Sequence, residues 1–375
     1  MMFAHATKSS PSKGQACPLW QGITARQLQT VAVMGMTKNT GKTVCLNHLL
    51  DQAHDAGRSV GLTSIGRDGE ERDQVFFIPK PPVKVHPGCL VATARDTLLR
   101  AKVRTEHVGP TGVDSPMGEI VIVKAMEAGD MEVAGASRGR DQHKVIALLK
   151  QCGSQVVFLD GALGRSHHAS PAMADGVVLA TGAAIGGSMD DVLRKTRDRL
   201  AILSIAPAPT HLAQQVQAVF DCGAVGVWHR DGTCLFNEPI ATLSAASALL
   251  SLRADDIGLL ALPGAVGKLL WQAVQTLLSR HPGLNVVVAD GTKLFIDALD
   301  LVTFERQGGR LYALRGIQLI GVALNPFSPF GGSFDAPTFL AQAQTALSPH
   351  VVTDVMLVTE GPDHRHAHAA QREES

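Results

Sequence analysis

Aromatic residues are scarce in this chain: phenylalanine, tryptophan and tyrosine together make up 4 % of 375 residues, and Tyr312 is the single tyrosine. That argues against a stacking platform for single-stranded nucleic acid, which sets successive bases on aromatic rings. Net charge is also missing, since Lys plus Arg and Asp plus Glu both total 34. A neutral chain has no overall attraction to nucleic acid or to an anionic membrane, so neither is expected as a partner. No apolar run reaches the roughly 18–20 residues that span a bilayer. The six cysteines (Cys17, Cys45, Cys89, Cys152, Cys222 and Cys234) contain no CxxC pair and read as reduced thiols, mostly small core residues. Residues 1–28 carry Lys8, Ser9, Ser10, Pro11, Ser12 and Lys13 with no apolar stretch behind them. No secretory signal is therefore expected, and the expected location is the cytoplasm.

What is present is a globular composition, 45 % hydrophobic and 18 % charged, in a chain long enough for one large domain or two ordinary ones. Short apolar runs rich in β-branched residues occur at 30–34, 59–65, 118–123, 156–159, 177–180, 258–262, 285–289, 317–324 and 355–358. Many are continuously apolar, as strands covered on both faces are. Helical patterns fall between them at 43–56, 142–151, 190–200, 266–280 and 337–347; in the first, Val44, Leu46, Leu49, Leu50 and Ala53 share a face. Such alternation predicts an α/β fold with a mostly parallel sheet flanked by helices. The stretch 66–115 breaks the rhythm with Pro79, Pro81, Pro82 and Pro87, and part of it is expected to form an ordered loop over the ligand end of the sheet.

The apolar run 30–34 leads into Gly35, Met36, Thr37, Lys38, Asn39, Thr40, Gly41, Lys42 and Thr43, and then into the amphipathic helix. The phosphate-loop pattern is GxxxxGK[ST]. Its last three letters fit here, while Met36 occupies the first-glycine position and Gly35 lies one residue earlier. Gly41 lets the backbone close on phosphates, so that successive N–H groups and the helix N-terminus face negative charge. Lys42 is expected to reach the terminal phosphates and the Thr43 hydroxyl to ligate Mg²⁺. The run 156–159 ends in Asp160, an acid that is costly to bury without a cation or hydrogen bonds. A direct or water-bridged magnesium role for Asp160 meets that need. A chance GKT on a surface turn is the competing reading, and the strand–loop–helix context argues against it.

Residues 35–43 resemble the phosphate loop of dethiobiotin synthetase, which also sets a glycine one residue early; this places the chain with the MinD-like group of P-loop proteins. The signature lysine of many members would fall at Thr37, with Lys38 one position off. LDGALG (159–164) is similar to the synthetase's acid-Gly-Ala-Gly-Gly turn, and 317–356 to its last strand–loop–helix, where Asn325 would contact the adenine of ATP. The synthetase's substrate lysine after its second strand has no match in 62–70, which argues against biotin chemistry. Residues 63–70 and 160–184 more loosely resemble a P-loop accessory protein of cobalamin-dependent lysine and ornithine aminomutases, for which a reactivating or chaperone role is proposed. The expected layout is a disordered leader (1–28), a P-loop core (29–204), an inserted α/β segment (205–309), a final strand–loop–helix of the core (310–359) and a disordered tail (360–375). The expected activity is ATP hydrolysis with Mg²⁺, coupled to a protein partner or a homodimer; the alternative is a small-molecule ligase or kinase.

Other groups leave more than one reading open. Asp68, Glu70, Glu71 and Asp73 follow the second strand; Asp73 or Asp68 fits a magnesium or γ-phosphate-sensing role, and a solvated acidic loop fits equally. Arg165, Ser166, His167, His168 and Ser170 follow Asp160, suiting water positioning or a solvent-exposed loop. Arg138 and Arg140 suit a phosphate or plain surface. Asp290 and Lys293, after the run 285–289, suit a second pocket or ordinary turn chemistry. His364, His366 and His368 form a tract that suits solvent better than metal.

Overall fold

The computed structural model describes residues 17–64, 82–161 and 173–359. The chain enters through α1 (Pro18–Ala25) and builds β1 (Thr30–Gly35), α2 (Lys42–Asp55) and β2 (Val60–Ser64). Next come β3 (Val83–Val85), β4 (Leu90–Ala94), the short turn α3 (Arg95–Leu98), β5 (Thr105–Ser115), β6 (Gly118–Ala125) and β7 (Gly129–Met131). They are followed by α4 (Gly139–Gln151), β8 (Val156–Asp160), β9 (Gly176–Gly182) and α5 (Met189–Leu203). A further stretch holds α6 (Thr210–Cys222), β10 (Val225–His229), β11 (Cys234–Glu238), α7 (Ala246–Ser251) and β12 (Ile257–Leu262). It continues with α8 (Lys268–Arg280), β13 (Asn285–Val288), α9 (Ala298–Arg306) and β14 (Arg310–Ala313). The described chain ends with β15 (Leu319–Asn325), α10 (Ala336–Ala346), β16 (Val352–Thr353) and α11 (Val355–Thr359).

Nine strands form one sheet in the order β16-β15-β9-β1-β8-β2-β4-β6-β5. It is parallel from β16 through β4, and β6 and β5 add an antiparallel edge. The expected α/β class, with a mostly parallel sheet flanked by helices, is what the chain builds. β1 is buried on both faces. Val31 and Val33 pack with α1 and α2 residues such as Trp20, Ile23, Leu46 and Leu50. Ala32 and Met34 pack with Val145 and Leu149 of α4, Val192 of α5 and Phe339 of α10. Each such leucine or valine contributes about 1.5–3 kcal/mol when fully buried, so this strand fixes the sheet's centre.

The second sheet runs β11-β10-β12-β13-β14, with β12, β13 and β14 parallel. It has its own two-sided core. Val286 and Val288 face Trp271 and Phe304, whose rings lie 4.9 Å apart, while Val287 faces Val216 and Val219 of α6. Helix α5 belongs to both units. Its Leu200 and Leu203 pack under the large sheet, and its Ile202 packs into the core of the small one.

Three expectations are corrected. The leader is not loose throughout, because Leu19, Trp20 and Ile23 bury one face of α1; Pro18 starts this helix, which is too short to show periodicity. Residues 310–313 form β14 beside β13, so the second unit runs past 309 and the large sheet resumes at Leu319. The apolar run 355–358 lies in helix α11, where the Asp354 carboxylate accepts from the Met356 N–H at 2.9 Å; the edge strand is Val352–Thr353. The described part of 66–115, residues 82–115, carries β3, β4 and β5, which forms a hairpin with β6 and holds Pro110 on the edge strand where no ladder donor is needed; residues 66–81, where the expected loop could fall, lie outside the described residues.

Candidate nucleotide site

The loop 35–43 leaves β1 between β8 and β9, at the centre of the large sheet. Gly35 ends the strand, and the Met36 N–H continues the ladder by donating to the Ala180 carbonyl at 2.9 Å. The geometry explains why the glycine stands one residue early. A Cβ at Gly35 would lie 2.6 Å from Thr40 Oγ1 and 2.7 Å from Lys42 Cδ, so only a bare Cα lets the lysine stem fold back over the strand end. Thr40 is buried, and its hydroxyl donates to the Thr37 carbonyl at 2.9 Å, closing the turn from inside. The Thr37 hydroxyl donates to the Lys38 carbonyl at 3.0 Å.

Two residues hold left-handed backbone, Asn39 at φ +62° and Gly41 at φ +84°. Asparagine and glycine are the residues that tolerate this conformation best. Gly41 is also the N-cap of α2, and among the described residues no side chain caps that helix; its first turn carries no acid. Helix starts of this kind leave backbone N–H groups without an intrahelical partner and suit an anion. Left-handed turn, uncapped helix start and lysine stem over a bare glycine together suit a bound anion.

Asp160 closes β8, in register with Val33 of β1 on one side and Ser64 of β2 on the other. It is almost fully buried, and the Gly161 N–H after it donates to the Val33 carbonyl at 3.2 Å. Thr43 is buried in the first turn of α2. The structure thus brings together Gly35, Thr37, Lys38, Asn39, Thr40, Gly41, Lys42 and Thr43, and sets Asp160 at the end of the adjacent strand.

Asn325, at the end of β15, lies against the loop. Its Nδ2 donates to the Asn39 carbonyl at 3.0 Å and its Oδ1 accepts from the Phe327 N–H at 3.2 Å. A Cβ on Gly41 would lie 2.9 Å from Asn325 Cβ. Its side-chain amide braces the loop 35–43, a contact that sequence reading, which gave it to adenine, did not anticipate.

Asp68, Glu70, Glu71, Asp73, Arg165, Ser166, His167, His168, Ser170, His364, His366 and His368 lie outside the described residues. Arg138 and Arg140 are exposed at the start of α4. Asp290 is turned into the second unit, where its Oδ1 accepts from the Thr292 N–H at 2.8 Å. Burial lowers the pKa of Lys293, with Asp290 opposing the shift.

A cleft of about 1130 Å³ adjoins the loop and is lined by Met36, Thr37 and Lys38, by Arg194, Lys195 and Arg199 of α5, and by residues 294–299 of the second unit. The α5 cations escaped sequence reading because at helical spacing beside acids they look like surface ion pairs. Asp290 and Lys293 are not among the lining residues.

The fold and this strand–loop–helix are consistent with an α/β protein of P-loop type. No protein-family model matches the chain, and no curated protein and no solved structure matches it significantly.

Proposed function

We propose that the chain binds a nucleoside triphosphate, ATP by the resemblance of its loop, together with Mg²⁺, and hydrolyses it to do conformational work on a partner protein. The observation that carries this reading is the phosphate loop itself: an uncapped helix start, two left-handed residues and a lysine stem seated over Gly35. In it, backbone N–H groups hold the phosphates, Lys42 offsets their charge, and Thr43 and Asp160 hold the metal. Mg²⁺ would supply charge neutralisation between the outer phosphates. The partner suggested by the resemblance of 63–70 and 160–184 is a cobalamin-dependent aminomutase.

Phosphate release tests the reading. Wild-type protein should hydrolyse ATP only with Mg²⁺, and Asp160→Asn should lower turnover by about 10²–10³-fold, the scale of losing one preorganised electrostatic group. Nucleotide affinity should change far less. Wild-type turnover in the variant would remove Asp160 from the site.

A second reading, an ATP-dependent ligase or kinase acting on a small molecule, is favoured by the cleft beside the loop. Phosphate release that rises on adding an aminomutase supports the partner reading. Product formation with a small acceptor and no protein partner supports the second.

A further inference from the structure

The cleft is the meeting place of two sheets. Residues 36–38 leave the carboxyl end of β1, while 294–297 lie in the connection from the carboxyl end of β13 to α9 and 298–299 open that helix. Both strands run parallel within their own sheets. Ligands in open α/β sheets sit outside the carboxyl ends of the strands. Here two such edges line one space.

The lining has a chemical bias. It holds four cations (Lys38, Arg194, Lys195 and Arg199) and two carboxylates (Asp198 and Asp297). The carboxylates are engaged by cations: Lys268 Nζ lies 3.1 Å from Asp297 and Arg194 lies 3.6 Å from Asp198. Arg199 donates from Nη1 to the Leu294 carbonyl at 3.2 Å, and its Nε is buried with no hydrogen-bond partner among the described residues. Burial pulls its pKa down to about 10 against the opposing pull of Asp290, so it is still charged at neutral pH. Among the described residues Lys195 makes one hydrogen bond, to the Gly186 carbonyl at 3.4 Å. Phe295 and Leu299 add exposed apolar surface to the same lining, 48 % and 72 % accessible. At about 1130 Å³ the space exceeds the roughly 300–1,000 Å³ of small-ligand sites, leaving room beside a nucleotide's outer phosphates.

We propose that this cleft binds a small organic anion, a carboxylate or phosphate on an apolar body, with Lys195 and Arg199 at its charged end and Phe295 and Leu299 along its apolar part. The site goes beyond the nucleotide reading: it shares Met36, Thr37 and Lys38 with the loop 35–43, but Lys42 and Thr43 are not part of its lining, and its proposed contacts, Lys195, Arg199, Phe295 and Leu299, lie on α5 and the second unit.

The test uses the full chain and 8-anilinonaphthalene-1-sulfonate, an anion on an aromatic body, titrated by fluorescence with and without Mg-ADP. One saturable site per chain is expected. Lys195→Ala and Phe295→Ser should each weaken it about tenfold, with circular dichroism unchanged. Competition by glycerol 3-phosphate or by glutarate then tells a phosphate head group from a carboxylate. Absence of saturable binding, wild-type affinity in both variants, or displacement by neither competitor would overturn the proposal. Calorimetry with Mg-ADP on the same samples reports the nucleotide reading separately, so either can fail while the other holds.

Discussion

Asn325 Nδ2 donates a 3.0 Å hydrogen bond to the backbone carbonyl of Asn39, joining the end of β15 to the left-handed turn of the loop 35–43, 286 residues away. The left-handed conformation of a non-glycine residue is held by its surroundings, and this bond is one of the holding contacts. Asn325→Asp keeps the shape and removes the donor. A net hydrogen bond contributes about 0.5–1.5 kcal/mol, so triphosphate affinity should fall about 3- to 10-fold, more once the new charge meets the phosphates. Thermal stability should change little. Calorimetric titration checks this, and unchanged affinity would mean that the brace does not preorganise the loop.

Gly35→Ala probes the displaced glycine. The added methyl would lie 2.7 Å from Lys42 Cδ and 2.6 Å from Thr40 Oγ1, so the lysine stem or the buried threonine must move. Overpacking of this kind typically costs about 1–3 kcal/mol. Because the strain falls on the loop, it should appear as weakened nucleotide binding by about tenfold or more. An alanine variant that binds as wild type does would show that the stem need not rest on residue 35.

The parts of the fold that could be read from sequence were those with one dominant signal. β1, β8 and β9 are continuous apolar runs because helices cover both faces, and α2 follows a glycine-lysine-threonine turn that suits few other purposes. The parts that could not be read mix signals. β5 interleaves Glu106, His107, Pro110 and Asp114 with its buried Thr111 and Val113, as an edge strand with a wet face does. β14 carries only Leu311 and Ala313 as fully buried residues, so nothing in four residues says which sheet it joins. The run 355–358 is apolar enough for a strand, but Asp354 caps the following turn and settles it as helix. The cleft was out of reach, since it exists only where residues 36–38, α5 and 294–299 converge.

His48 makes a prediction about pH. It is buried on α2, and its Nε2 is enclosed without a hydrogen-bond partner among the described residues. Burial pushes its pKa below the ordinary histidine value, with Asp51 opposing. The unfolded chain therefore takes up this proton more readily than the folded one. The stability it contributes is complete above about pH 6.5 and is lost as pH falls from there toward the depressed folded value. His48→Leu should show a smaller drop in Tm between about pH 7.5 and about pH 5.5 than wild type does. Equal drops in both proteins would place the acid sensitivity elsewhere.

The most direct test of the account is calorimetric titration of Mg-ATP into wild-type protein and into Lys42→Ala. The lysine stem lies over Gly35, and its ammonium is the group we propose for the outer phosphates. A charge-assisted hydrogen bond contributes about 1.5–3 kcal/mol, so the variant should bind about 10- to 100-fold more weakly while keeping its circular dichroism spectrum. Wild-type affinity in Lys42→Ala, or no binding of Mg-ATP by the wild-type chain, would contradict the assignment of residues 35–43 as a phosphate loop.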